Sequence, residues 1–164
     1  MKYERNFYQI KSNDSILSNL RKERNTIGYY SLPYQDTKEI ESYATSIAKE
    51  NIYIIGIGGS TLGTKAIYTF LRSSHKFNKK LFFLDTIDPL RINYLLSLSD
   101  LKNSHFIFIS KSGNTIEPVS ILKYIESKIS ISKVNSTVIT DKKSSLCKFA
   151  KKNGIKTFIQ LEQG

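Results

Sequence analysis

One cysteine, Cys147, is all that the 164 residues hold, which excludes an intrachain disulfide framework and a cysteine-rich zinc site and fits a reducing compartment. Long apolar runs are missing as well. Ile52–Ile57 and Phe106–Ile109 fall far short of the roughly 20 residues that cross a bilayer, and Met1–Asn6 lacks the apolar core of a secretion signal. Acidic residues are scarce, 14 against 25 Lys plus Arg, leaving a formal charge of +11 and a pI near 9.6. That balance calls for an anionic partner, either nucleic acid or a phosphorylated small molecule. The lysines are nevertheless dispersed, and their densest groups, Lys142-Lys143, Lys148 and Lys151-Lys152, fall on an expected solvated helix face. Nucleic-acid binding would rest on charge alone. The expectation is a soluble, cytoplasmic protein with neither membrane nor nucleic acid as partner.

What is present is an alternation. From residue 51 onward, apolar runs at Asn51–Ile57, Lys80–Asp85, Ser104–Ser110, Ser136–Thr140 and Lys156–Leu161 are separated by segments of helical periodicity. This pattern predicts an α/β fold in three αβα layers, with five parallel strands buried on both faces. The first helix carries the stripe Leu62, Ala66, Ile67, Phe70, Leu71, and the second a weaker one, Leu90, Leu95, Leu96, Leu98. Ile121, Leu122, Ile125 and Ile129 line the third; Leu146, Phe149 and Ala150 line the fourth, which stops at Asn153-Gly154, a good C-terminal signal. Cys147 beside that face reads as a buried small hydrophobe.

No strand pattern precedes residue 51. Asp36 and Glu39 read as a capping box ahead of a helix with Ile40, Tyr43, Ala44 and Ile47 on one face. Ile16, Leu17 and Leu20 suggest a short helix, and Gly28–Pro33 an aromatic-rich connector. Residues 1–35 are thus expected to be an arm, and 36–164 one domain, in keeping with a mass of 18.8 kDa.

Two polar loops interrupt this framework. The first, Gly56–Gly63, joins the first strand to the first helix, and its glycines and the helix N-terminus suit an anion. It is not a P-loop, because Gly63 is followed by Thr64-Lys65 rather than Lys-Ser/Thr. Nor is it a complete dinucleotide fingerprint, whose third glycine would stand where Thr61 does, although Asp85 sits where a ribose-binding acid would. The second loop, Ser110–Pro118, offers Ser110, Ser112 and Thr115 within six residues, a dense donor set for phosphate. The same residues also suit a turn at Ser112–Asn114 and a helix cap at Thr115. With the flavodoxin-like strand order 2-1-3-4-5, strands one and three are neighbours at the point where strand order reverses. Both loops then face one crevice.

At these loops, Ile55–Gly63 and Ile109–Pro118, the sequence resembles the N-terminal sugar isomerase (SIS) domain of the glucose-6-phosphate isomerase family, and Tyr29–Pro33 is similar to an aromatic-Leu-Pro segment ahead of that domain. The resemblance implies that Ser110, Ser112 and Thr115 hold a substrate phosphate with help from the Lys111 amide. It implies that Gly58, Gly59 and Ser60 contact the sugar, and that Glu117 supports a catalytic histidine located elsewhere. It further implies interconversion of glucose 6-phosphate and fructose 6-phosphate, the step shared by glycolysis and gluconeogenesis, with no cofactor and no metal, in a homodimer completed by a C-terminal SIS domain. The family's Gly-Gly-Arg motif, base glutamate, histidine and C-terminal lysine have no counterpart in these residues. His105, at the start of its strand, His75 and Lys65 are poor substitutes, and His105 reads as a cap or surface residue. Two other readings stay open: a stand-alone sugar-phosphate module of SIS type, and a flavin site. The second rests on the likeness of Ser110–Thr115 to the flavodoxin phosphate loop, which in flavodoxins follows the first strand rather than the third.

Overall fold

The computed structural model describes residues 14–23 and 27–160. Thr37 through the end of the last strand form one compact unit, and the residues before Thr37 belong to a second. The second unit holds helix α1 (Asp14–Glu23) and a 3-10 turn over Gly28–Tyr34, where the connector was expected.

In the compact unit the strands are β1 (Asn51–Ile55), β2 (Lys80–Leu84), β3 (Ser104–Ser110), β4 (Ser136–Thr140) and β5 (Lys156–Ile159). All pair in parallel in the order β2-β1-β3-β4-β5, the expected flavodoxin-like order. Expected strand ends run slightly long: β1 stops at Ile55 because Gly56 leaves the ladder for a 3-10 turn over Gly58–Ser60. Leu161 lies outside the described residues.

Side chains alternate across the sheet, as the pleat requires. Tyr53, Ile55, Phe106, Phe108 and Val138 point to one face, where they are buried with Ile92, Leu95 and Leu96 of α4 (Pro89–Ser97), Ile121, Leu122 and Ile125 of α5 (Ile116–Glu126), and Leu146 and Ala150 of α6 (Ser145–Lys152). At the centre, the Tyr53 ring stacks between Phe82 and Phe106, its partners in register on β2 and β3, at centroid distances of 4.8 and 5.2 Å. The stripe on α4 differs from the expected one: Ile92 replaces Leu90 and Leu98, which stay exposed, because Asp88 caps the Leu90 amide and Pro89 opens the helix, fixing its rotation. Helix α6 ends as its sequence predicts. Gly154, at φ +64°, and Ile155 donate back to Lys151 and Ala150, the two bonds of a Schellman stop.

The other face carries Ile52, Ile54 and Ile109, flanked by Ile47, Leu81, Phe83, Ile107 and Ile139, and is covered by α2 (Lys38–Ser46) and α3 (Leu62–Leu71). Tyr68 of α3 meets Phe83, and Tyr43 of α2 packs edge-on against Phe158. This cover is thinner. No residue of α3 is buried, and Leu62, Ile67 and Phe70 of its predicted stripe are exposed among the described residues. The start of α2 differs from the expected one: the helix begins at Lys38 behind Thr37, whose hydroxyl donates to Glu41, while the Glu39 carboxylate pairs with Lys156 at 2.6 Å.

His105 is a correction. It lies on β3 but is 3% exposed rather than a surface cap, because Thr137 bonds its Nε2 at 2.7 Å and Tyr43 bonds the same hydroxyl at 2.7 Å. Burial, with Lys79 and Lys49 nearby, lowers its pKa to about 4. Among the described residues no helix is long and apolar enough to cross a membrane, and no cluster of potential metal ligands occurs.

Candidate functional site

The carboxyl ends of β1 and β3 lie side by side, and the two polar loops leave the sheet together. The strand ends meet closely: a Cβ on Gly56 would lie 2.9 Å from the Ile109 carbonyl oxygen and 3.0 Å from the Ser60 Cβ, so glycine is required where the first loop crosses the end of β3. Above this crossing is an open cavity of about 310 Å³ lined by Ile57, Ser60, Ile109, Ser110, Lys111, Ser112, Thr115, Pro118 and Asp141. Its size lies at the lower end of the roughly 300–1,000 Å³ typical of small-molecule sites.

Ser60, Ser110, Ser112 and Thr115 bring hydroxyls to a wall whose apolar part is Ile57, Ile109 and Pro118. Ser110, at the end of β3, is 2% exposed; its Oγ accepts from the Gly113 amide at 3.1 Å and donates to Thr115 Oγ1 at 3.1 Å. Since a hydroxyl carries one hydrogen, this relay leaves the Thr115 proton free for a ligand or for Ser112, 3.5 Å away. Thr115 occupies the N-cap position of α5 without making a side-chain cap bond. Its hydroxyl is therefore not committed to the helix. The turn expected at Ser112–Asn114 is present, closed by the Asn114 amide donating to Ser112 Oγ at 3.2 Å with Gly113 at φ +69°.

Of the residues singled out from sequence, Ser60, Ser110, Lys111, Ser112 and Thr115 share the cavity wall. Gly58 and Gly59 sit in the adjoining 3-10 turn, exposed and outside the wall. Glu117 is half-buried in the first turn of α5, also outside it. Lys65 pairs with Asp85 at 2.7 Å, which occupies the acid a dinucleotide ribose would need. His75 is exposed, bonded to Ser74, and Cys147 is buried.

Sequence reasoning missed Asp141, at the end of β4, the one acidic residue on the wall. It also missed Thr140, Ser144 and Ser145 behind the second loop. Thr140 Oγ1 donates to the Ser110 carbonyl at 2.6 Å and accepts from Ser144 Oγ at 2.7 Å, while Ser145 Oγ reaches the Gly113 carbonyl at 2.6 Å. The available signal was positional. These residues end the strand next to β3 and open its helix, where in an open α/β sheet a third loop reaches the same crevice.

In chemical terms the wall presents neutral donors in a cleft at the reversal of strand order, with Lys111 and Asp141 as its only titratable groups among the described residues.

The comparisons with known proteins bear on the same residues. The family model described as Phosphoglucose isomerase matches residues 36–157, which include both loops, β1 to β4 and the start of β5. A glucose-6-phosphate isomerase of Methanocaldococcus jannaschii is 35% identical over 114 residues, covering 70% of this chain and 27% of the relative. One from Campylobacter jejuni is 32% identical over 159 residues, covering 92% of this chain and 38% of the relative. The chain thus spans less than two-fifths of the length of these two relatives. Among solved structures, a hypothetical protein from Thermus thermophilus superposes with a TM-score of 0.78 at 27% identity, over 92% of this chain and 39% of the other. A glucose-6-phosphate isomerase from Chlamydia trachomatis, at 24% identity and a TM-score of 0.64 over 96% of this chain and 29% of the other, shares the fold. With the match extending from the start of α2 into β5 and taking in the whole hydroxyl-lined crevice, this chain belongs to the phosphoglucose isomerase family.

Proposed function

We propose that the two loops form the sugar-phosphate half-site of a glucose-6-phosphate isomerase. The observation that carries this reading is the convergence of Ser60, Ser110, Ser112 and Thr115, from two loops about 50 residues apart in sequence, on one cavity at the switch point of the sheet. In this reading Ser112 and Thr115 donate to the phosphate oxygens with the Lys111 amide, Ser110 holds Thr115 in place, and Gly58, Gly59 and Ser60 face the sugar. Glu117 supports a histidine supplied from outside this chain.

Moving a proton between C1 and C2 needs a positioned base, and opening the ring needs an acid. Among the described residues Lys111 and Asp141 are the only titratable groups on the wall, so in this reading the base, the acid and the groups that fix the open-chain sugar come from a second SIS domain and a partner subunit. The 164 residues alone then bind without turnover. Activity approaching the ~10 per second of a median enzyme would overturn that part of the reading.

The test is an amide chemical-shift titration with fructose 6-phosphate, with fructose as control. Shifts at Gly58–Ser60 and Ser110–Thr115 that require the phosphate ester support the half-site. Equal shifts with the unphosphorylated sugar, or none at millimolar ligand, would overturn it.

A further inference from the structure

Three carbonyl groups of the second loop, those of Ser110, Lys111 and Gly113, are turned toward one side. The Ser110 carbonyl accepts from Thr140 Oγ1 at 2.6 Å; the Lys111 carbonyl accepts from the Asp141 amide at 3.1 Å and from Thr140 Oγ1 at 3.3 Å. The Gly113 carbonyl accepts from Ser145 Oγ at 2.6 Å, and Ser145 also bonds Asn114 Oδ1. Every one of these donors lies on the stretch from the end of β4 to the first residue of α6.

A trans peptide points its N–H opposite to its C=O, and the chain has no cis bond. With the Ser110 and Lys111 carbonyls fixed toward β4, the amides of Lys111 and Ser112 point away from it, to the side where β1 and the first loop lie. Neither amide has an acceptor among the described residues. Two unpaired donors on one side of a loop whose Ser110, Lys111 and Gly113 oxygens are engaged on the other leave a local positive pole.

The hydroxyl chain behind the loop is directional. The Cys147 amide donates to Ser144 Oγ at 2.9 Å; Ser144 then gives its single hydrogen to Thr140, and Thr140 gives its own to the loop carbonyls. Thr140 is fully buried and Ser144 nearly so, so water cannot substitute for either bond.

Resting on the sugar-phosphate reading above, we propose that Thr140 and Ser145 are positioning residues for that site: Thr140, by holding the Ser110 and Lys111 carbonyls away from the crevice, aims the Lys111 and Ser112 amides at the phosphate, and Ser145 holds the Gly113 carbonyl, whose peptide partner, the Asn114 amide, closes the turn onto Ser112 Oγ. They touch no ligand themselves. The loop is thereby set for an anion before one arrives, which spares the cost of ordering it on binding.

The experiment measures Kd for orthophosphate and for fructose 6-phosphate by amide chemical-shift titration of the 164-residue chain, alongside its thermal midpoint. The wild type is compared with Thr140→Val, Thr140→Ser, Ser145→Ala and, as a core control remote from the loop carbonyls, Val138→Ala. Thr140→Val is expected to weaken both ligands about tenfold and to shift the free-state Lys111 and Ser112 amide signals. Thr140→Ser, which keeps the donor, should bind within about threefold of wild type, Ser145→Ala about threefold more weakly, and Val138→Ala as wild type despite its lower midpoint. Unchanged affinity in a folded Thr140→Val, or the same loss in Val138→Ala, would overturn the inference. Should Thr140→Val not fold, wild-type affinity in Ser145→Ala would do so. A wild type that binds neither ligand would overturn the sugar-phosphate reading and this inference with it, whereas a wild type that binds alongside unaffected variants removes only the inference.

Discussion

A methyl group on Gly113 would sit 2.7 Å from the Cβ of Ser144 and 2.8 Å from the Leu146 amide nitrogen. The obstruction is the rigid opening turn of α6, and Gly113 also has φ +69°. Gly113→Ala therefore meets both a backbone region that L side chains rarely adopt and a fixed neighbour. We expect it to cost about 2 kcal/mol or more of stability, read as a lower urea midpoint at unchanged slope. A variant as stable as wild type would show that α6 moves aside and that the loop is not held against it.

Within the crevice, hydroxyl and charge are separable. Thr115 receives the Ser110 proton and keeps its own for a ligand, whereas Lys111 is exposed and shares the wall with Asp141. Thr115→Val should weaken fructose 6-phosphate about tenfold, and Lys111→Ala, which preserves the backbone amide, by threefold or less. Calorimetric titration of the two variants decides it. A larger loss in Lys111→Ala would mean that the ammonium, and not the neutral donors, holds the phosphate.

Alternation of apolar runs with helical stripes was enough to read a covered parallel sheet, since strands such as Tyr53–Ile55 and Phe106–Ile109 are buried on both faces and leave little choice. The paired loops were equally legible, being polar interruptions at fixed places in that pattern. Contacts set by distant partners were not. Periodicity shows that Leu62, Ile67 and Phe70 share a helix face, but not that this face stays exposed. A histidine at a strand start looks peripheral until Thr137 and Tyr43, far away in sequence, are seen to close over it. Thr140, Ser144 and Ser145 are ordinary residues in composition, and their role is visible only once β4 lies beside β3.

Tyr53 shows how a polar group is tolerated at the centre of the core. Its ring is fully buried between Phe82 and Phe106, and its hydroxyl donates to the Leu95 carbonyl at 2.9 Å and meets Ser99 Oγ at 2.8 Å. Burial raises its pKa above the ordinary tyrosine value, partly offset by Ser99. Tyr53→Phe keeps the stacking and removes only these bonds, so thermal unfolding should report a loss of about 1 kcal/mol. No loss would show that water reaches the Leu95 carbonyl once the hydroxyl is gone.

His105 gives the fold a pH dependence whose sign follows from its surroundings. Its ring is buried against Thr137, with Tyr43 beyond and Lys49 and Lys79 nearby, and these hold its pKa down at about 4 against 6.5. The unfolded chain takes up the proton first as pH falls. The contribution of this residue is therefore complete above about pH 6.5 and declines toward pH 4, with a total of about 3 kcal/mol at stake. Urea unfolding at pH 7 and pH 5 should differ by about 2 kcal/mol from this residue alone. His105→Gln, which cannot ionise, should flatten that part of the slope while being less stable than wild type at pH 7. Equal slopes in the two proteins would mean that His105 accepts its proton in the folded state as readily as in the unfolded one, and that the enclosure by Thr137 and Tyr43 opens at mildly acid pH.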